Sequence, residues 1–216
     1  NGLANGIPAA LFFLYLEFKL GADSGTRATF VLIYFVSAIL AIPLWSRLSR
    51  RHGKHRVWCA AMVAACLAFL TVPLIGEGGF PAFAIVCVIT GMSLGADLAL
   101  PPAIQADVVD WGTLQYGRAE AGLLFAFWSM GTKLALAVSV GLALPGVEAF
   151  GFDPDLPTDS GVKALVLIYA VLPVVSKVAA VGLMWHFPLT EKRHAAGCRR
   201  LARNTAGNGM EVRVSL

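Results

Sequence analysis

Charge is what this sequence has least of. Of its 216 residues only 14% are Asp, Glu, Lys or Arg, against roughly 25% in an ordinary soluble domain. A water-soluble globule is thereby excluded. The four cysteines, Cys59, Cys66, Cys87 and Cys198, have no C-x-x-C spacing, and three lie in apolar stretches where a free thiol acts as a small hydrophobe. A disulfide framework or thiolate metal site is not indicated. The four histidines, His52, His55, His186 and His194, flank the apolar blocks and form no H-E-x-x-H pattern, so neither a metal nor a catalytic set is expected and the chain reads as no enzyme. There is no secretory leader, and the chain opens on Asn1 inside an apolar stretch, so an N-terminal part is expected to precede it.

What the sequence has instead is long apolar runs. Hydrophobic residues make up 57% of the chain and the mean hydropathy is +0.72. Six blocks stand out, at about residues 2–20, 29–46, 57–75, 81–103, 121–145 and 163–187. Blocks of about 20 residues match the roughly 30 Å hydrocarbon layer at 1.5 Å of rise per residue. The fold expected is an all-α membrane bundle of six transmembrane helices over residues 1–189, followed by a disordered basic tail at 190–216.

The net charge of +4 comes from basic residues beside the apolar blocks rather than from a stripe interleaved with aromatics, which points to membrane orientation and not to nucleic acid. The segment Ser46 to Arg56 carries five Lys/Arg and the tail after Phe187 six, whereas 146–162 carries Glu148, Asp153, Asp155 and Asp159 with no base. Both chain ends are therefore expected in the cytoplasm, with the protein in the cytoplasmic (inner) membrane.

Ionisable side chains inside such blocks are costly and mark packed interiors or water-filled paths. Lys133 lies midway along the fifth block, about 18 Å from either end, beyond the reach of snorkelling. Ser129 sits one turn back on its face, with Trp128 and Thr132 alongside. Ammonium, hydroxyls and indole suit a polyhydroxylated ligand. The first block sets Asn1, Asn5, Pro8, Phe12 and Tyr15 on one polar, Gly/Pro-broken face, as in cavity-lining helices of transporters. Asp97 and Lys177 are further intramembrane charges that could partner each other, and Pro101-Pro102 is expected to end the fourth helix near the inner face.

The link Ala106-Asp107-Val108-Val109-Asp110-Trp111-Gly112, the Arg118-Ala119-Glu120 that follows, and Lys133 placed 23 residues after Asp110 resemble the C-terminal half of the glycoside-pentoside-hexuronide:cation symporters, the melibiose-permease-like branch of the major facilitator superfamily. The opening Asn-Gly-Leu-Ala-Asn-Gly-Ile-Pro and the basic Gly53-Lys54 with Arg56 resemble that family as well. The resemblance implies a secondary active transporter, symporting a sugar or glycoside with a cation (Na⁺ or H⁺) whose site lies in the other six helices. It places Lys133, Trp128, Ser129 and Thr132 at the substrate, and Asp107, Asp110 and Arg118 in a cytoplasmic ionic lock. The implied partners are a small-molecule substrate, the bilayer and an N-terminal six-helix half. The chain departs from the pattern at Leu98, where a melibiose permease has a sugar-stacking tryptophan. A lysolipid or other amphipath carrier is the alternative that fits Leu98 and the Phe-rich fifth helix, Phe125 and Phe127. A non-transporting membrane scaffold is the alternative of another class.

Overall fold

A computed structural model describes residues 1–116 and 121–185. Every extended element among the described residues is a helix: α1 (Gly2–Phe18), α2 (Ser24–His52), α3 (Lys54–Thr71), α4 (Phe80–Tyr116), α5 (Ala121–Ala149) and α6 (Asp159–Trp185), with a single 3₁₀ turn at Val72–Leu74. Five of them are long and apolar enough to cross a membrane, and α1 is a shorter apolar helix of 17 residues. The chain is an integral membrane protein built as an all-helical bundle. The end of the bundle that carries the Arg47 to Arg56 segment is called the basic end below.

Two helices run past the lengths expected from hydropathy. Hydropathy places the end of α2 near residue 46, yet α2 continues through Arg50, Arg51 and His52. At 29 residues it is about 44 Å long, so its last turns clear the hydrocarbon. Cations there complement the negative end of the helix dipole. Gly53 then turns the chain in a single residue at φ +90°, a conformation that favours glycine, and α3 begins at once.

The second correction concerns α4, which does not end at Pro101-Pro102 but continues to Tyr116. The two prolines deprive the Asp97 and Leu98 carbonyls of their helical donors. Packing outweighs that loss. Leu100 is buried in a cluster with Trp58, Met62 and Ala96, Ile104 packs against it, and Lys54 holds the next turn by donating to the Ala103 carbonyl (3.3 Å) and the Asp107 carboxylate (2.7 and 2.8 Å). The expected disordered tail lies outside the described residues.

Helix α2 packs chiefly on α4, α1 on α5 and α6, and α3 on α4 and α6. The α2–α4 seam depends on Gly91 and Gly95, where a Cβ would run into the backbone carbonyls of Tyr34 and Ala38. That close approach is the use of small residues at four-residue spacing. Trp45 reinforces it by donating to the Met92 carbonyl at 2.7 Å. Away from the basic end, Tyr15 stacks on Tyr169 (centroids 4.5 Å, 10°) and on Phe83 (5.2 Å, 30°), joining α1, α4 and α6. Tyr15 also donates to the Val72 carbonyl at 3.3 Å. In contrast α5 buries only Ser139, Ala143 and Val147.

Replacing Gly91 or Gly95 with Val is expected to wedge α2 from α4 and destabilise the bundle by about 1–3 kcal/mol. The check is thermal unfolding in detergent. An unchanged Tm in both variants would show that the seam does not depend on close backbone contact.

Candidate functional site

Four helices converge on one buried polar cluster. Asp97 of α4 accepts from the Trp58 indole of α3 at 2.5 Å and from the Asn5 amide of α1 at 2.7 Å. Lys177 of α6 lies 3.7 Å from the same carboxylate and donates to the side-chain oxygens of Asn1 (2.9 Å) and Asn5 (2.8 Å). The Asn5 amide thus stands between the two charges, its NH₂ toward the carboxylate and its oxygen toward the ammonium. No other orientation satisfies both. Lys177 is 1% exposed. A charge so placed persists only when paired and hydrogen-bonded. The structure therefore brings together Asn1, Asn5, Asp97 and Lys177, and adds Trp58. Trp58 lies two residues beyond the basic segment, where an aromatic reads as an ordinary member of the interfacial belt.

Beside this cluster is a cavity of about 240 Å³ between α1 and α2, backed by α3, α4 and α6. Asn5 and Lys177 line it at their end, and along α1 its wall continues through Pro8, Ala9, Phe12 and Phe13. Across from them stand Val31, Tyr34 and Phe35 of α2, with Phe83 and Cys87 of α4 at the back. Two hydroxyls on the lining are already engaged. Thr90 donates to the Val86 carbonyl (2.7 Å) and Ser93 to the Ala61 carbonyl (3.0 Å). The surface left for a guest is dominated by rings and methyls.

The remaining sequence candidates lie elsewhere. Trp128, Ser129, Thr132 and Lys133 are all exposed on α5, and none of them lines the cavity. Thr132 donates back to the Ser129 carbonyl at 2.9 Å. Lys133, expected at the substrate, has no hydrogen-bonded or charged partner among the described residues. The physical reason is that α5 covers its neighbours only through its Ser139, Ala143 and Val147 edge. Leu98, the site of the departure from the sugar-stacking pattern, is exposed as well. At the basic end Asp107 is engaged within this half by Lys54, Asp110 is exposed, and Arg118 lies outside the described residues. Among the described residues no group of His, Cys, Asp and Glu could hold a metal ion.

A family model described as "MFS/sugar transport protein" matches residues 1–191. The chain belongs to that family. Its relatives are transporters rather than enzymes. The chain is 26% identical over 196 residues to the sodium-dependent lysophosphatidylcholine symporter 1-A of Danio rerio, covering 88% of this chain and 36% of that protein. It is 29% identical over 123 residues to the sphingosine-1-phosphate transporter MFSD2B of Mus musculus, covering 56% of this chain and 24% of that protein. To the uncharacterized symporter YjmB of Bacillus subtilis (strain 168) it is 23% identical over 199 residues, 89% of this chain and 42% of that one. The chain thus spans less than half the length of these relatives.

Removing one member of the buried pair is expected to be worse than removing both. Lys177→Met leaves a buried carboxylate without its cation, a loss of about 3–5 kcal/mol, whereas Lys177→Met with Asp97→Asn relieves most of it. Thermal unfolding of the two variants tests this. Equal destabilisation of the single and double variants would contradict an energetically coupled pair.

Proposed function

We propose that the protein is a cation-coupled symporter of a lysolipid-type amphipath, with this chain as the C-terminal half of a two-half alternating-access carrier. The observation that carries this reading is the cavity, whose Thr90 and Ser93 hydroxyls are turned to helix carbonyls and whose walls, apart from the Tyr34 and Tyr169 phenols and the Asn5 and Lys177 end, are apolar rings and aliphatic groups. A sugar needs several directional hydrogen bonds, and a buried polar ligand left without them is disfavoured. An acyl chain needs none. The lysophosphatidylcholine and sphingosine-1-phosphate transporters among the relatives support the same choice.

In this reading the exposed α5 strip meets the polar head, with Lys133 drawing the anionic part of the head and Trp128, Ser129 and Thr132 supporting it. Asn1, Asn5, Asp97 and Lys177 hold the helices in register behind the chain-binding surface. The coupling cation is sodium, by analogy with the sodium-dependent relatives, and its site is in the other half. Asp107, Asp110 and Arg118 work at the cytoplasmic gate, with Lys54 as the resident partner of Asp107. The basic end faces the cytoplasm of a cytoplasmic membrane, as the Lys/Arg distribution favours. The resemblance of the Asp107 to Lys133 stretch to the glycoside-pentoside-hexuronide:cation symporters keeps a sugar as the second reading, and the polar α5 strip is the feature that favours it.

Uptake by vesicles containing the native protein separates the two. Labelled lysophosphatidylcholine is expected to enter saturably in sodium and not in choline buffer, and Lys133→Ala is expected to reduce that uptake at least tenfold while membrane insertion is retained. Sodium-driven accumulation of melibiose without lysolipid uptake would decide for the sugar.

A further inference from the structure

We propose that the cavity between α1 and α2 is an alkyl-chain subsite separate from the α5 face, taking the terminal segment of one chain while the polar head stays outside. The proposal rests on the amphipath reading above for its substrate, but the cavity itself can be tested without that substrate.

Size sets the first limit. At about 240 Å³ the cavity falls below the roughly 300–1,000 Å³ of pockets that enclose whole drug-sized ligands. Counted in water-sized units of about 30 Å³, it holds about eight. Its wall on α1 runs from Asn5 to Phe13, which is about 12 Å of helix. A narrow, elongated guest fits these dimensions, and a whole lysolipid or a sugar with its hydration does not.

Chemistry sets the second limit. The polar groups at the Asn5 and Lys177 end are already held by one another and by Asp97, so a guest need bring no hydrogen bond to satisfy them. Elsewhere the lining is mainly Phe12, Phe69, Phe83, Val31 and Val86 with the Cys87 thiol, and the Tyr34 and Tyr169 phenols are its remaining polar groups besides Thr90 and Ser93. A wall dominated by apolar groups favours an apolar guest.

The opening is the third observation. Helix α1 packs on α5 and α6 and α2 on α4, so that these two chain neighbours are parted along the cavity. Phe13 and Phe35, one from each side, are 54% and 52% exposed, whereas Phe83 and Cys87 at the back are buried. A chain passing between Phe13 and Phe35 reaches Phe83 and Cys87, which bilayer lipid outside the bundle does not touch.

The test is photolabelling of the native protein in vesicles with a lysophosphatidylcholine that carries a diazirine at the end of its chain, followed by peptide mapping. Label is expected on Phe83, Cys87 or their immediate neighbours in α4, and to fall at least tenfold in Ala9→Trp. Ala9 lines the cavity but is exposed, so the larger ring is expected to occlude the space without entering the core. A terminal-diazirine long-chain alkanol, which lacks the head, is run in parallel. Label confined to exposed helix faces with both probes overturns the subsite. Label in α4 from the alkanol, together with no uptake of lysophosphatidylcholine, upholds the subsite and overturns the substrate reading instead. Label in α4 that is unchanged by Ala9→Trp overturns the proposed route past α1.

Discussion

The Asn5 side chain, wedged between a carboxylate and an ammonium, is the point on which four helices of the bundle are fixed. A charge brought out of water costs several kcal/mol even after relaxation, and Lys177 is only 1% exposed. The compensation comes from α1, α3, α4 and α6 together, because Asn1 and Asn5, Trp58, Asp97 and Lys177 each sit on one of them. Moving any one helix along its axis by a single residue, about 1.5 Å, would stretch at least one of these bonds beyond hydrogen-bonding distance. The cluster therefore sets helix register, which apolar packing in a bilayer specifies weakly because lipid tails solvate the same side chains.

Packing elsewhere conforms to that register. Asp97 lies two residues after Gly95 and four before Pro101, so one stretch of α4 carries the close contact with α2, the buried charge and the break in its hydrogen-bond ladder. The glycines bring the α2 backbone against α4 while the prolines release carbonyls beyond it. Lys54 then restores order past the prolines by bonding the Ala103 carbonyl and the Asp107 carboxylate. A helix of 37 residues with two adjacent prolines is thus held by a lysine from the first turn of α3.

Hydropathy makes the helices legible because the hydrocarbon layer demands apolar runs of a set length, and the intramembrane charges are legible because they are rare there. Their partners are not. Nothing in the spacing of Asn5, Asp97 and Lys177 says that they meet, since they are separated by 92 and 80 residues and sit on three helices. Trp58 gave no signal at all, because an indole beside a basic segment fits the interfacial belt. Helix ends were obscured for a related reason. Hydropathy reports where the hydrocarbon stops, and α2 and α4 continue beyond it into polar sequence that remains helical. Spacing places Lys133 in midmembrane but does not say which helices it meets, and in the structure it is exposed on α5. The exposure of most of α5 turns that face away from its own half-bundle.

The separation between the α5 strip and the cavity gives physical form to the amphipath reading. A carrier for a molecule with a charged head and an apolar tail must offer each end its own surface, because an uncompensated charge among aliphatic groups is disfavoured and a chain held in a polar, hydrated site loses the gain of apolar burial. In this chain the exposed lysine, hydroxyls and indole sit on α5, and the rings sit between α1 and α2. The two helices nearest the question, α1 and α5, are bound to each other by close contact, since a Cβ on Gly6 would overlap the Ser139 side chain and Ser139 donates to the Leu3 carbonyl at 3.2 Å. On the proposed reading, a displacement of α5 by a head group would be transmitted to α1, and through Asn1 and Asn5 to the buried pair. Head and tail occupancy would then be linked through α1 rather than through any residue they share.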